Sequence, residues 1–311
     1  MAGTSLPAMQ VVSHQDALEW LDYEPLIDFF EACHRVTPAQ VTDLYTDDGS
    51  GNGLLARAGF ATGAGLGIKL ATIFPGNTEL PSIHTVYVAF DPTTGQERAV
   101  IVGNALTWFK TACDSALASR YLVRPGATSL LMVGAGSMAP HLIRAHLAAC
   151  PSVREVTIWN RTAARAEALA AELADLDPTV TTALEAAVGT ADIVSCATMA
   201  VEPLIRGSWL RPGTHLDLVG SYLPHMREVD DNAISRSRVF VDSRQSAFDT
   251  GEIGIPIASG VIEAEDIIGD HYQLATGTVH GRTGHDDITL FKNAGGGHLD
   301  LMAAQYLLTR L

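Results

Sequence analysis

Residues 128–162, TSLLMVGAGSMAPHLIRAHLAACPSVREVTIWNRT, constrain the fold more than any other part of the chain. An apolar run ends in Gly134-Ala135-Gly136-Ser137-Met138-Ala139, a stretch with helical spacing follows, and a second apolar run ends in Asn160-Arg161-Thr162. Strand, glycine turn, helix and strand follow one another in this order in a dinucleotide-binding unit. Gly134 permits the tight turn, Gly136 lets backbone approach a pyrophosphate, and Ala139 is small enough for the helix to pack close to the strand. The pyrophosphate is expected at the helix N-terminus, where free N–H groups and the helix dipole favour an anion. In NAD sites an acid near the end of the second strand holds the ribose 2′-hydroxyl. Here that place carries Arg161, flanked by Asn160 and Thr162. A cation suits a 2′-phosphate, so NADPH is the expected cofactor and NADH the alternative. The candidate cofactor contacts are Gly134, Ala135, Gly136, Ser137, Met138, Asn160, Arg161 and Thr162.

Composition sets the class. With 311 residues, 47% of them hydrophobic and 18% charged, the chain can bury one large core or two ordinary ones. Its 20 basic and 35 acidic residues give a net charge of −15, which argues against nucleic acid or an anionic membrane as a partner. An anionic substrate therefore needs a local basic pocket. Cys33, Cys113, Cys150 and Cys196 are scattered without CxxC or histidine pairing, which reads as buried thiols in a reducing compartment rather than disulfides or a metal site. With no signal-like N-terminus and no apolar run of about 18 residues, a soluble, cytoplasmic protein is expected.

Residues 15–35 hold apolar positions at helical spacing, with a break expected near Pro25. From 53 to 103 the character changes to strands: GLLARAGF, GLGIKLATIF, HTVYVAFD and RAVIVG, separated by turn residues such as Asp91-Pro-Thr-Thr-Gly95. Their close spacing, without intervening helices, implies a largely antiparallel sheet. A helix is expected over 105–122, leading out of this first region. From 128 onward strands and helices alternate, with later strands near 179–183, 192–198, 214–220 and 238–243, the pattern of a doubly wound parallel sheet. After Gly295-Gly296-Gly297, residues 298–311 return to helical spacing and are placed to pack back on the first region. The expected fold class is α/β: a Rossmann-type doubly wound parallel sheet plus a discontinuous α+β domain with a largely antiparallel sheet. The expected division is 1–115 completed by 292–311, and 116–291.

Taken in order, these segments resemble the ornithine cyclodeaminase / mu-crystallin family over nearly the whole chain. The stretches that carry the likeness are Gly67-Ile-Lys-Leu70, Phe74-Pro-Gly-Asn77, Leu80-Pro81, Phe90-Asp91-x-x-Thr-Gly95, Leu106-Thr107, Thr111-Ala112 and the GAGSMA turn. Val219-Gly220, Val241-Asp242 and Gly281-Arg282 through Leu290-Phe291-Lys292 continue it. The resemblance implies a homodimer, a substrate-binding and dimerisation domain built from both chain ends, and a central Rossmann domain. The activities it implies include ornithine cyclodeamination, alanine dehydrogenation and reduction of cyclic ketimines, beside ligand binding without turnover as in mu-crystallins.

Lys69 sits in the apolar strand GLGIKLATIF, where a lysine must either snorkel to water or meet an anion. The resemblance implies that it contacts substrate, binding the carboxylate or giving a proton near the imine. Arg57, one strand earlier, is the candidate for a bidentate carboxylate clamp, beside the reading of a surface arginine on an edge strand. Lys110 falls where relatives carry arginine and keeps the charge without the planar fork. His84 and Thr85 are further candidates for hydrogen bonds to substrate. Ser221 ends the strand THLDLVGS, at the carboxyl edge where ligands bind in such sheets. Cyclodeaminases place an aspartate there as base; serine cannot serve as a carboxylate base near neutral pH, and ketimine reductases resembling mu-crystallin show serine. The polar loop 281–289, leading to Phe291-Lys292, resembles the family's closing loop, and Lys292 joins the candidate cofactor contacts.

Together these imply an NAD(P)H-dependent reductase acting on a small cyclic imino acid, Δ1-pyrroline-2-carboxylate and/or Δ1-piperideine-2-carboxylate, with no metal. Lys69 and Ser221 are its candidate catalytic residues, and the proton donor is left open between Lys69, Ser221 and an ordered water. An alanine-type dehydrogenase, an ornithine cyclodeaminase and a mu-crystallin-like ligand-binding protein are the alternatives.

Overall fold

The computed structural model describes residues 9–36, 38–62 and 64–311. In chain order they form β1 (Gln10–Val12), α1 (His14–Trp20), α2 (Tyr23–Cys33), β2 (Gln40–Asp47), β3 (Gly53–Ala61), β4 (Gly65–Ile73), β5 (Ile83–Phe90), β6 (Glu97–Val102) and α3 (Ala105–Leu122). There follow β7 (Ser129–Val133), α4 (Ala139–Ala149), β8 (Glu155–Trp159), α5 (Ala163–Glu172), β9 (Thr179–Thr181), α6 (Leu184–Thr190), β10 (Ile193–Cys196) and β11 (His215–Leu218). The chain closes with α7 (Asp231–Ser235), β12 (Arg238–Val241), α8 (Arg244–Ala247), α9 (Gly251–Ala258), β13 (Ile267–Asp270), α10 (His271–Ala275), β14 (Thr289–Lys292) and α11 (Gly297–Leu308).

These elements form two compact units. One takes residues 1–22, 36–110 and 296–311, the other residues 23–35 and 111–295. The division falls within α3, and it differs from the expected one most clearly at Tyr23–Arg35. That segment joins the second unit because α2 packs on α4. Nor does Pro25 break a helix. The break is at Leu21-Asp22, and Pro25 stands in the first turn of α2, where a missing N–H is tolerated.

In the first unit the described strands form a sheet in the order β1-β6-β5-β4-β3-β2, antiparallel except for the β1–β6 pair. The edge strand β2 was not anticipated: QVTDLYTD carries acids and threonines and stays largely exposed. In β4 the burial alternates, so Gly65, Gly67, Lys69 and Ala71 share one face. The glycines let α11 approach this face. A Cβ on Gly65 would lie 2.8 Å from Leu301 Cδ1, and one on Gly59 would lie 3.4 Å from the Gly297 carbonyl oxygen. The opposite face is apolar and open in this chain, with Val11, Leu44, Leu54, Phe60 and Val102 each at least 39% exposed.

In the second unit the described strands make an all-parallel sheet, ordered β13-β12-β14-β11-β10-β7-β8-β9. Strands β13 and β14 extend it beyond the four later strands expected from the sequence. The central strands are buried on both faces, as parallel strands flanked by helices must be. Leu131, Val133, Val194, Leu216, Leu218 and Leu290 belong to one apolar cluster packed on the sheet.

Candidate active site

The nucleotide site forms at the end of β7. Gly134 has φ +113°, in the region that favours glycine, and a Cβ there would lie 2.6 Å from the Ala197 carbonyl oxygen. Gly136 faces open space, where an added Cβ would meet nothing within 4 Å. Both are requirements of a backbone cradle, and α4 begins three residues later, with no side chain capping its first turn. The Asn160 side chain ties the two strand ends together: Oδ1 accepts from the Ala135 N–H at 3.2 Å and Nδ2 donates to the Thr162 carbonyl at 2.9 Å. A cavity of about 320 Å³ is lined by Gly134, Ala135, Gly136, Asn160, Arg161 and Thr162. Arg165 adds a second guanidinium that sequence reasoning missed, although its place in the first turn of α5, four residues after Arg161, was signal enough. Thr198, after β10, belongs to the same lining. Glycine backbone, a helix start and two guanidiniums fit a pyrophosphate and a phosphorylated ribose. Ser137 and Met138 lead into α4 and are not among the lining residues.

Two expected site residues are placed differently. Lys292 is fully buried in β14, and its Nζ donates to the Leu218 carbonyl at 3.2 Å. Burial lowers its pKa, while Glu228, Glu252, Asp242 and Asp217 act the other way. Its charge balances interior carboxylates, so it supports the sheet rather than lining the cavity. Ser221 is also fully buried, and its hydroxyl donates to Glu252 Oε2 at 2.8 Å. A further hydroxyl–imidazole–carboxylate chain, Ser119–His146–Asp217, runs inside the same unit with steps of 3.0 Å. All three members are at most 1% exposed, and none of them lines the nucleotide cavity.

The charged site of the first unit is a row across the sheet. Asp43 pairs in register with Arg57, Arg57 with Lys69, and Lys69 with Tyr87, which puts the four side chains on the face covered by α11. Arg57 Nε lies 2.9 Å from Asp43 Oδ2. Lys69 Nζ lies 2.9 and 2.8 Å from the two oxygens of Asp300, on α11, and Lys110 Nζ lies 3.6 Å from Oδ1. Lys69, Lys110 and Asp300 are all at most 4% exposed. Two expected residues, Lys69 and Lys110, are thus brought together by an aspartate that sequence reasoning overlooked, while Arg57 stands on the neighbouring strand, paired with Asp43. The signal for Asp300 was the single acid in the largely apolar run HLDLMAAQYLL.

Electrostatics follow from that burial. Desolvation pulls the Lys69 ammonium down to about 7, and Lys110 and Arg57 add to the shift while Asp300 opposes it. Burial alone would raise Asp300, but Lys110, Lys69 and Arg57 hold its carboxyl below the usual range. Burial and the Asp300 charge push the Tyr87 hydroxyl up, so it stays a neutral donor beside Lys69. Thr85 shares this face but donates to the Gly103 carbonyl at 2.9 Å. His84 is exposed on the other face, because an odd spacing from Tyr87 reverses the side of the sheet. Two lysines on one aspartate, with an arginine on the neighbouring strand, can hold a small carboxylate, and a lysine whose pKa is lowered to about 7 can exchange a proton near neutral pH.

The profile of the ornithine cyclodeaminase/mu-crystallin family matches residues 46–311, and the chain belongs to that family. The Δ1-pyrroline-2-carboxylate reductase of Paracoccus denitrificans is 40% identical over 305 residues, covering 96% of each chain. The ketimine reductase mu-crystallin of Mus musculus is 35% identical over 240 residues, covering 76% of this chain and 73% of the relative. Among solved structures, Thermococcus litoralis Δ1-pyrroline-2-carboxylate reductase in complex with NADH and L-proline superposes with a TM-score of 0.89 at 25% identity, covering 97% of each chain.

Proposed function

We propose that this protein is an NAD(P)H-dependent reductase of cyclic ketimine carboxylates, acting on Δ1-pyrroline-2-carboxylate and/or Δ1-piperideine-2-carboxylate to give L-proline or L-pipecolate. The observation that carries this reading is Lys69, a buried ammonium 2.8 Å from Asp300 and beside Lys110 in a basic set suited to a carboxylate, with burial lowering its pKa to about 7. The named activity of the Paracoccus denitrificans relative agrees with it. When bound, the dihydronicotinamide supplies the hydride. Lys69 and Lys110 hold the substrate carboxylate, with Arg57 adding charge from the neighbouring strand. Lys69 gives its proton to the imine nitrogen, which makes the adjacent carbon a better hydride acceptor. The hydroxyl of Ser221, committed to buried Glu252, offers no base for ornithine cyclodeamination. The test is oxidation of NADPH with the cyclic imine, compared with pyruvate plus ammonia, and with ornithine assayed for ammonia release. Oxidation with the imine alone is expected; activity on either other substrate would replace this reading.

NADPH is the proposed cofactor, because Arg161 and Arg165 line the cavity and the segment Asn160-Arg161-Thr162 has no acid to repel a 2′-phosphate. Charge-assisted hydrogen bonds contribute about 1.5–3 kcal/mol. Arg161→Ala should therefore weaken NADPH binding by roughly 10- to 100-fold while changing NADH binding little, as read by cofactor fluorescence. Equal losses for both would assign Arg161 to the shared part of the cofactor. The proposed assembly is a homodimer, in keeping with the open apolar face of the first unit's sheet. No described helix is long and apolar enough to cross a membrane. The proposed location is the cytoplasm, in keeping with four free cysteines.

A further inference from the structure

Glu228 lies between β11 and α7 and is fully buried. Its Oε1 accepts from the Thr198 N–H at 2.7 Å and from Thr198 Oγ1 at 2.8 Å, and its Oε2 accepts from the Gly220 N–H at 2.7 Å. Its backbone carbonyl accepts from the N–H groups of Leu204 and Ile205. Thr198 and Leu204 both line the nucleotide cavity, whereas Gly220 opens the turn after β11. These two loops touch: a Cβ on Gly220 would lie 2.0 Å from the Thr198 carbonyl oxygen and 2.5 Å from Glu228 Oε1. One carboxylate therefore ties a wall of the cavity to the neighbouring loop.

We propose that Glu228 is a positioning residue that holds the Thr198 wall in its nucleotide-binding form while ionised and releases it on protonation, so that NAD(P)H affinity depends on pH. Four groups donate to the carboxylate: the Thr198 and Gly220 amides, the Thr198 hydroxyl and the Cys196 thiol. Two of them are amides that cannot turn round to accept. A proton on either oxygen takes up a lone pair and places a hydrogen among donors, of which the two amides cannot reverse, so the contacts that tie Thr198 to Gly220 must rearrange and weaken. The charged and titratable groups facing Glu228 are Lys292 on β14, Glu252 on α9 and Cys196 on β10. Burial pushes Glu228 up to about 7, Glu252 adds to the shift, and Lys292 and the Cys196 thiol oppose it. The switch therefore falls within the physiological range. This inference rests on the nucleotide-binding part of the proposed function and is independent of which imine is reduced.

The test is the NADPH dissociation constant, read by cofactor fluorescence from pH 6 to pH 8, for the unaltered protein and Glu228→Gln. The unaltered protein should bind roughly tenfold more weakly at pH 6 than at pH 8, with the change centred near 7. Glu228→Gln presents an amide NH₂ to one of the amide donors at every pH. It should bind about tenfold more weakly at pH 8 and lose the part of the step that exceeds the titration of the 2′-phosphate. Titration of the 2′-phosphate is common to both proteins and cancels in the comparison. Thr198→Val removes one arm and keeps the acid, so it should weaken binding a few-fold and retain the step, which decides the matter if Glu228→Gln does not fold. Binding without a step near 7 in the unaltered protein, or an identical step in Glu228→Gln, overturns the inference. No NADPH binding at any pH overturns the nucleotide-site reading itself.

Discussion

Replacing Asp300 with alanine should lower the stability of this protein by about 3–5 kcal/mol, the usual loss when one partner of a buried ion pair is removed. That corresponds to a fall of about 10 °C in unfolding midpoint, measurable by calorimetry or circular dichroism. The size follows from the arrangement. Asp300 is the counter-charge for Lys69 at 2.8 Å and for Lys110 at 3.6 Å, all three within the first unit. Its loss leaves two buried ammonium groups to deprotonate or draw in water. Asp300→Asn keeps the shape and removes the charge, so it should be nearly as harmful as the alanine variant. A midpoint within 2 °C of the unaltered protein for both would contradict a shared counter-ion (about 1 kcal/mol or less).

Lys69→Met is expected to separate stability from catalysis. Asp300 would remain opposite Lys110, one charge against one, and methionine fills similar apolar space, so stability should change by about 1 kcal/mol or less. Activity should collapse. Loss of a positioned acid costs about 10²- to 10⁴-fold, and kcat/KM should fall by roughly 10³-fold. In the unaltered enzyme the protonated form of Lys69 is depleted as pH rises through about 7, so kcat/KM should decline on that side. Lys69→Met should lack that limb. Lys69→Arg keeps a charge for the carboxylate but cannot release a proton in this range, so kcat should fall more than KM rises. Stability runs the other way. The folded value near 7 lies below the ordinary 10.5, so the unfolded chain holds the proton more tightly and folding gains as pH rises between those values. A Lys69→Met enzyme with near-normal turnover would remove Lys69 from the acid role.

Local signals were legible where one segment carried the whole argument. The glycine turn, the missing acid at Arg161 and the out-of-place lysine in GLGIKLATIF each declare themselves within about ten residues. The helix over 105–122 and the turn at Asp91–Gly95 have the same character, and both are present. Contacts made across long separations were not legible. Asp300 meets Lys69 from 231 residues away, and only the return of α11 onto the sheet brings them together. His84 was misplaced by side of the sheet, although counting alternate positions from the buried Tyr87 would have put it on the outer face. Lys292 and Ser221 stand at or just past strand ends where ligands often bind, yet buried carboxylates distant in sequence meet them: Glu228 and Glu252 act on Lys292, and Glu252 accepts from Ser221. Strand ends can be inferred from local patterning. What packs over them depends on the whole chain.

The most direct test of the central claim is the fate of the hydride. Incubation with Δ1-pyrroline-2-carboxylate and NADPH deuterated at the transferred C4 position should yield L-proline with one deuterium at Cα, read by mass spectrometry and chiral separation. Unlabelled proline, or label appearing only in alanine when pyruvate and ammonia are supplied, would contradict the account.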